Sequence, residues 1–326
     1  MERGIPKLKA LRLRSGQARI LYMSTPEFGA PTLHKLADAG YEFAGVVCQP
    51  DKPAGRGLQV SAPAVKQAAL TLGLPILQPA NLRAPDALAL LAATRPDLIV
   101  VAAYGQFIPD PICQLAPRGA LNLHPSLLPR WRGASPVQAA ILAGDAETGV
   151  SVQFVAPEMD AGDILAQVTT PIGPDENTAA LMARLAVLGA EVTVETIGRW
   201  LAGEITPWQQ DPTGVTWCGR LTKEAGLLDW GQPADLLARQ VRAFSPWPGA
   251  YTLWQGRQLA ILAASVLPAD QVMAAAGEVI AAEKGAAVGA AEGALLLRQV
   301  QLAGKQPLPI EVFLRGARGF IGARLG

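Results

Sequence analysis

Apolar strands that alternate with helices are the feature that most limits what this chain can fold into. Residues 98–103 (LIVVAA) are apolar at every position, and residues 119–123 form a second, largely apolar strand. Strands of this kind belong in sheets that are covered on both faces, and helices between parallel strands provide that cover. Helical patterns at residues 66–72 and 84–93 precede these strands. The sequence therefore predicts an α/β fold with a doubly wound, mostly parallel sheet.

The remaining elements of this half follow the same pattern. Strands are predicted at residues 19–23, 43–47, 75–77, 150–155 and 164–168, and helices at 31–40 and from a cap at Asn177 to 202. In such sheets, ligands bind beyond the carboxyl ends of the strands. Asn122 and His124 end one of these strands, so they lie where this rule places a site.

The pattern changes after Trp217. One helix is predicted at 233–244, followed by short strands at 250–254, 258–265, 277–281, 286–289 and 294–302. Closely spaced strands with glycine turns favour a small β-barrel of the oligonucleotide-binding (OB) type. We therefore expect four segments: a basic, disordered extension at 1–17, an α/β domain at 18–203, a linker at 204–216 and an OB-like domain at 217–326.

Composition argues against several classes of protein. The 326 residues include three cysteines, with no CxxC pair, and two histidines, which argues against a disulfide scaffold or a structural metal site and fits a reducing cytoplasm. No apolar run reaches about 18 residues, so no membrane-spanning helix is expected. The first strand is not followed by G-x-G-x-x-G, so a dinucleotide site lacks its phosphate loop. Net charge is only +1, but basic residues cluster near both ends, which suits an anionic partner as well as an ordinary solvated surface.

Asn122, His124 and Asp160 offer an amide, an imidazole and a carboxylate near strand ends. Acyl transfer to an amine needs these groups, because an oxyanion must be stabilised and protons must be moved. Asn122 and His124 are two apart on a strand, so their side chains share a face. The spacing alone leaves a non-catalytic interpretation open, in which His124 is structural, Asn122 caps a turn and Asp160 is an exposed acid of a loop.

Residues 122–136 read NLHPSLLPRWRGASP and closely resemble the catalytic segment of the 10-formyltetrahydrofolate-dependent formyltransferases. The spacings of two and thirty-six residues within the trio of Asn122, His124 and Asp160 match that family as well. The resemblance implies a formyltransferase-type, Rossmann-like domain, 10-formyltetrahydrofolate as co-substrate and no metal. It also implies that imidazole and carboxylate transfer protons while the amide holds the formyl oxygen. The family's folate-contacting segment corresponds to Ser126, Leu127, Leu128 and Pro129.

Further motifs resemble the branch of this family that acts on charged tRNA. They are residues 23–28, 49–57 (QPDKPAGRG), 96–106, 221–224, 228–230 and 246–251. In that branch, the loop matching 49–57 enters the acceptor stem and a C-terminal OB-like domain holds the tRNA. The resemblance implies initiator methionyl-tRNA as the acceptor, with Arg56 and Lys223 contacting it. We expect the protein to act as a monomer in the cytoplasm.

The chain departs from the family pattern at two places beyond its basic extension. Ser24 stands where the family usually has glycine, beside the expected pocket. Leu58 and Gln59 replace a basic pair, so the loop at 49–57 offers fewer phosphate contacts.

Three rival functions use the same residues. Formyltransferases that act on amino sugar nucleotides share the trio, but the PAGRG loop argues against them. A hydrolase related to the amino-terminal part of formyltetrahydrofolate dehydrogenase would need a large further domain. A tRNA-binding module without catalysis would not need an intact trio.

Overall fold

The computed structural model describes residues 18–54, 59–271, 273–282 and 285–326. The predicted extension at 1–17 lies outside the described residues. The strands of the first half are β1 (Arg19–Ser24), β2 (Glu42–Val47), β3 (Lys52–Ala54), β4 (Gln59–Ser61), β5 (Ile76–Leu77), β6 (Leu98–Ala102), β7 (Ala120–His124), β8 (Arg132–Gly133), β9 (Glu147–Phe154) and β10 (Ile164–Pro171). The helices are α1 (Ala30–Asp38), α2 (Ala64–Thr71), α3 (Pro85–Ala92), α4 (Asp110–Cys113), α5 (Pro136–Ala143) and α6 (Thr178–Leu201).

A seven-stranded sheet in the order β10-β9-β7-β6-β1-β2-β5 forms the first half of the molecule. Strands β5, β2, β1, β6 and β7 are parallel to their neighbours, whereas β9 runs antiparallel to β7. The predicted doubly wound, mostly parallel fold is confirmed. The antiparallel strand matters for the site, because it brings a second set of side chains beside β7.

Strand β1 lies inside this sheet, between β6 and β2, and is buried from Ile20 to Ser24. Ile20 to Met23 are fully buried, and burial raises the pKa of the Tyr22 phenol above its ordinary value. The Tyr22 hydroxyl donates to the Gly29 carbonyl at 2.6 Å. Ser24, which replaces the family's usual glycine, is also fully buried, and its hydroxyl donates to the Ala102 carbonyl of β6. This departure is therefore accommodated by a hydrogen bond between two neighbouring strands.

Helix α5 was not predicted, because a proline such as Pro136 is unfavourable inside a helix. Pro136 is instead the first residue of the helix, where a proline lacks only an N–H that would be unpaired anyway. Gly144 ends the helix in the left-handed conformation, at φ 75°. The predicted cap of α6 is confirmed, since the Asn177 side chain accepts from the Ala180 N–H at 3.0 Å.

One backbone bridge joins the segment 204–216 to the sheet. Trp208 and Ile164 form an isolated antiparallel bridge, with N···O distances of 2.8 and 3.0 Å. A short 3-10 helix follows at Pro212–Gly214. The Asp211 carboxylate accepts from the Thr213 N–H at 2.9 Å, which holds the pKa of Asp211 below its usual value.

The second half is a curled antiparallel half-barrel, as the OB-like prediction required. Its sheet has the order β12-β13-β16-β15-β14, with β17 beside β16. Its elements are β11 (Trp217–Cys218), α7 (Ala234–Ala243), β12 (Tyr251–Trp254), β13 (Arg257–Leu267), β14 (Val279–Ala282), β15 (Gly285–Gly289), β16 (Ala294–Leu302), β17 (Leu308–Pro309) and α8 (Ile310–Gly316). The last strand and helix α8 were missed from the sequence.

An aromatic cluster lies in the core of this half. Trp254, Phe313 and Phe320 meet edge to face, with ring centroids 5.2–5.7 Å apart. Helix α7 covers the same core with Ala234, Leu237, Ala238 and Val241, which follow the helical period on one face.

Contacts divide the described chain into two compact units. The first holds residues 18–132, 149–169 and 184–215, and the second holds residues 133–148, 170–183 and the rest from 216. In the part of the chain that the structure describes, no helix is long and apolar enough to cross a membrane.

Candidate active site

Asn122 and His124 lie at the carboxyl end of β7 on one face, as predicted. Both side chains reach the same oxygen, Oδ1 of Asp160. The Asn122 Nδ2 lies 3.4 Å from this atom, and the His124 Nδ1 lies 3.6 Å from it. The structure thus brings the three predicted residues of the trio together.

The environment of His124 restricts what its ring can do. Its side chain is only 6% exposed, and its Nε2 lies 3.0 Å from the Trp131 carbonyl oxygen. Because a carbonyl only accepts, Nε2 carries a hydrogen in this arrangement. The other nitrogen, Nδ1, faces the Asp160 carboxylate at 3.6 Å.

Asp160 belongs to the loop between β9 and β10. This residue has φ 51°, in the left-handed region that non-glycine residues rarely occupy. The loop is closed at its base, where the Phe154 N–H donates to the Asp163 carbonyl at 2.9 Å. Gly162 has no room for a side chain, since a Cβ there would lie 1.9 Å from the Phe154 carbonyl oxygen. The loop therefore presents the carboxylate from a tightly packed backbone.

Gln153 is a further member of the site that the sequence did not reveal. It stands directly opposite Asn122 on β9, is 1% exposed, and donates to Asp160 Oδ1 at 3.2 Å. The antiparallel pairing of β7 and β9 creates this neighbour. A strand–strand register of this kind leaves no local sequence pattern.

Gln210 and Arg132 form an outer layer that was also missed. Gln210 donates to the Asp160 and Gly162 carbonyls, and it accepts from the Arg132 guanidinium. Arg132 also lies 3.3 Å from the Glu158 carboxylate. The only sequence signal was the position of Arg132 within residues 122–136.

The four predicted folate-contacting residues form a tight turn after β7. The Ser126 hydroxyl donates to the Arg130 carbonyl at 2.6 Å, and both Ser126 and Leu128 are buried. Leu127 and Pro129 are half-buried. The side chains of Leu127 and Pro129 are therefore the two of the four that retain accessible surface.

Side chains of β9 and β10 form hydrogen bonds with the backbone of the same turn. Ser151 donates its hydroxyl to the Ser126 carbonyl at 2.6 Å and accepts from the Leu128 N–H at 3.1 Å. Gln167 donates to the Leu128 carbonyl at 2.7 Å. These bonds fix the backbone beside His124.

A second cluster of polar groups lies at the carboxyl ends of β1, β2 and β6. The Tyr104 carbonyl accepts from the Thr25 hydroxyl at 2.8 Å and from the Gln49 amide at 3.0 Å. The Asp51 carboxylate accepts from Gln78 and Lys66, and these bonds hold the pKa of Asp51 below its usual value. Asp51 thus anchors the start of the 49–57 loop.

Of the two predicted tRNA contacts, the structure describes Lys223. Lys223 is exposed in the second unit, immediately before a 3-10 helix at Glu224–Gly226. Arg56, with Leu58, lies outside the described residues. Among the described residues, no group of three histidine, cysteine or acidic side chains is arranged to hold a metal ion.

Two family models match the chain. One, described as Formyl transferase, covers residues 18–197, and the other, described as Formyl transferase, C-terminal domain, covers residues 220–318.

Curated relatives match nearly the whole chain. The methionyl-tRNA formyltransferase of Roseiflexus sp. (strain RS-1) is 48% identical over 309 residues, which are 94% of this chain and 95% of the relative. The methionyl-tRNA formyltransferase of Symbiobacterium thermophilum is 44% identical over 308 residues, with 94% of each chain covered.

Solved structures share the fold at lower identity. HypX from Aquifex aeolicus in complex with tetrahydrofolic acid gives a TM-score of 0.63 at 20% identity, covering 94% of this chain and 49% of HypX. An N-formyltransferase from Helicobacter canadensis, in complex with folinic acid and dTDP-3-aminofucose, gives 0.62 at 12% identity, covering 89% of this chain and 100% of that one. At these identities the likeness is one of fold alone.

Proposed function

This chain belongs to the formyl transferase family, and we propose that Asn122, His124 and Asp160 perform its reaction. The protein transfers the formyl group of 10-formyltetrahydrofolate to the α-amine of initiator methionyl-tRNA. The observation that carries the assignment of residues is the convergence of His124 and Asn122 on one carboxylate oxygen of Asp160.

The amine attacks the formyl carbon and the formyl oxygen becomes negatively charged. Asn122 has two amide hydrogens, and the long 3.4 Å contact to Asp160 engages at most one of them. Its amide can therefore donate to the oxyanion. His124 ends the same strand on the same face, and the positive charge of its ring, once it has taken up the proton of the amine, stabilises the oxyanion.

Two protons must move for the transfer to finish. The methionyl nitrogen loses a proton as its bond to the formyl carbon forms, and N10 of the folate gains one as its bond to that carbon breaks. His124 and Asp160 lie 3.6 Å apart and form the relay between these nitrogens. Gln153 and Asn122 keep the carboxylate oriented toward the ring.

The folate and the tRNA are assigned to different parts of the chain. We propose that the turn at 126–129 contacts folate within a catalytic domain at 18–203, and that 217–326 holds the tRNA after a linker at 204–216. Arg56 and Lys223 are proposed to contact the tRNA. The protein is proposed to act as a monomer in the cytoplasm, a reducing compartment that the three free cysteines fit.

The acceptor is tested by following labelled formyl from 10-formyltetrahydrofolate. Charged initiator methionyl-tRNA and an amino sugar nucleotide are offered in parallel reactions. We expect label in the tRNA alone. Label in the sugar nucleotide, or formate release without either acceptor, would assign the trio to a different formyl-group reaction.

Lys223→Ala is expected to raise KM for tRNA about three- to tenfold and to lower its salt dependence by about one counterion, because a phosphate contact is lost. Arg56→Ala should act in the same way, while kcat and the KM for 10-formyltetrahydrofolate stay unchanged. Steady-state kinetics at several salt concentrations measure both effects. Lys35→Ala is the matched control, since Lys35 is an exposed lysine of the other unit paired with Glu191. An unchanged salt slope in both variants would contradict the assignment.

A further inference from the structure

We infer that Gln210, in the segment predicted as a linker, is a positioning residue for Asp160. The inference rests on the role proposed above for Asp160 in proton transfer. Gln210 lies in the same compact unit as the trio. It acts on Asp160 through the backbone of the loop that carries this residue and through Gln153.

The amide nitrogen of Gln210 contacts two backbone carbonyls of the loop that carries Asp160. Nε2 lies 2.8 Å from the Asp160 carbonyl oxygen and 2.8 Å from the Gly162 carbonyl oxygen. The same nitrogen lies 3.1 Å from Oε1 of Gln153, whose own amide donates to Asp160 Oδ1. The two hydrogens of this amide group therefore bond the Asp160 and Gly162 carbonyls, and its nitrogen also contacts the side chain beside the Asp160 carboxylate.

Arg132 determines which way the Gln210 amide points. The guanidinium donates to Gln210 Oε1 from Nε at 3.0 Å and from Nη2 at 2.8 Å. A guanidinium can only donate, so it selects the oxygen of the amide and turns the NH₂ group toward the loop carbonyls. Arg132 is 7% exposed and also contacts Glu158, so its own position is constrained.

The loop needs such support because its conformation is unfavourable on its own. Asp160 has φ 51°, and a non-glycine residue keeps this unfavourable conformation only where its surroundings hold it there. A relaxed loop would move the carboxylate away from the His124 ring. A displacement of about 1 Å at a reacting group can reduce the rate about a hundredfold.

Backbone and side-chain hydrogen bonds on either side of Gln210 hold it in this position. Trp208 is bridged to Ile164 in both directions, at 2.8 and 3.0 Å, just after the loop that carries Asp160. On the other side, Asp211 caps the short 3-10 helix at Pro212–Gly214. Gln210 is therefore held between two anchored neighbours.

Gln210→Ala is expected to lower kcat about ten- to a hundredfold while changing either KM less than about threefold. Gln210→Glu should lose at least as much: its carboxylate can still accept from Arg132, but it cannot donate to the loop carbonyls. Gln209→Ala is the matched control, since Gln209 is the exposed neighbour of the same type. Steady-state kinetics are measured well below the melting temperature of each variant.

A double-mutant cycle with Asp160→Asn separates positioning from general support of the fold. In the Asp160→Asn background, adding Gln210→Ala should lower the remaining kcat less than about twofold, because the carboxylate that Gln210 positions is absent. Losses that multiply in full, or wild-type turnover in Gln210→Ala, would overturn the positioning role alone. Wild-type turnover in Asp160→Asn would overturn the proposed role of Asp160 and this inference with it.

Discussion

Replacing His124 with alanine is expected to lower kcat at least about a hundredfold, because a positioned imidazole contributes about 10²–10⁴ to proton transfer. The ring contacts both the Asp160 carboxylate and the Trp131 carbonyl, so no neighbouring group in the trio can take over both of its contacts. Transfer of labelled formyl to methionyl-tRNA at saturating substrates measures the effect. Circular dichroism melting curves establish that the variant is folded under the assay conditions.

The control for this prediction is the other histidine of the chain. His34 is exposed on α1, and His34→Ala should keep wild-type turnover. His124→Gln fills part of the space left by the ring and preserves a hydrogen-bond donor, but an amide cannot accept and release a proton in the reaction. Near-normal turnover in a folded His124→Ala or His124→Gln protein would remove this residue from the mechanism.

Phe320→Ala is expected to lower the free energy of unfolding of the second unit by about 3–5 kcal/mol, the usual cost of removing a buried phenylalanine ring. Phe320 is fully buried and meets Trp254 and Phe313 edge to face, so the substitution leaves a cavity and breaks two ring contacts. Urea denaturation followed by circular dichroism measures the change. KM for tRNA should rise at temperatures or urea concentrations at which this unit is partly unfolded.

Ile321→Ala is the matched control for the core substitution. Ile321 is the next residue along the chain but is 44% exposed, so its truncation should change stability by less than about 1 kcal/mol. Equal stability losses at positions 320 and 321 would show that the aromatic cluster is not the core that supports the half-barrel.

The strand framework could be predicted from the sequence because a strand buried on both faces is a continuous run of apolar residues. Residues 98–102, which form β6, are apolar at every position. The next apolar stretch is β7, and its carboxyl end at His124 could therefore be located as well. The common face of Asn122 and His124 follows from the two-residue period of a strand. Asp160 could be placed near them only by the resemblance of the whole motif.

Gln153, Gln210 and helix α5 could not be predicted from a local sequence pattern. Gln153 reaches the site through an antiparallel register between β7 and β9, and Gln210 reaches it across 50 residues of chain. Glutamines in loops and strands carry no periodic signal, so the contacts of Gln153 and Gln210 could not be read from spacing. Helix α5 was missed for a different reason: Pro136 breaks a helix in its interior but is well suited to its first turn.

The bridge between Trp208 and Ile164 also decides where this chain can be divided. A fragment that stopped at residue 203, shortly after α6 ends, would leave the Ile164 N–H and carbonyl without these partners. It would also remove the Gln210 amide from the Asp160 loop. A shortened chain that keeps an intact site must therefore extend through residue 215, where the first compact unit ends. Removal of the segment that carries Gln210 is therefore expected to lower kcat without changing any member of the trio.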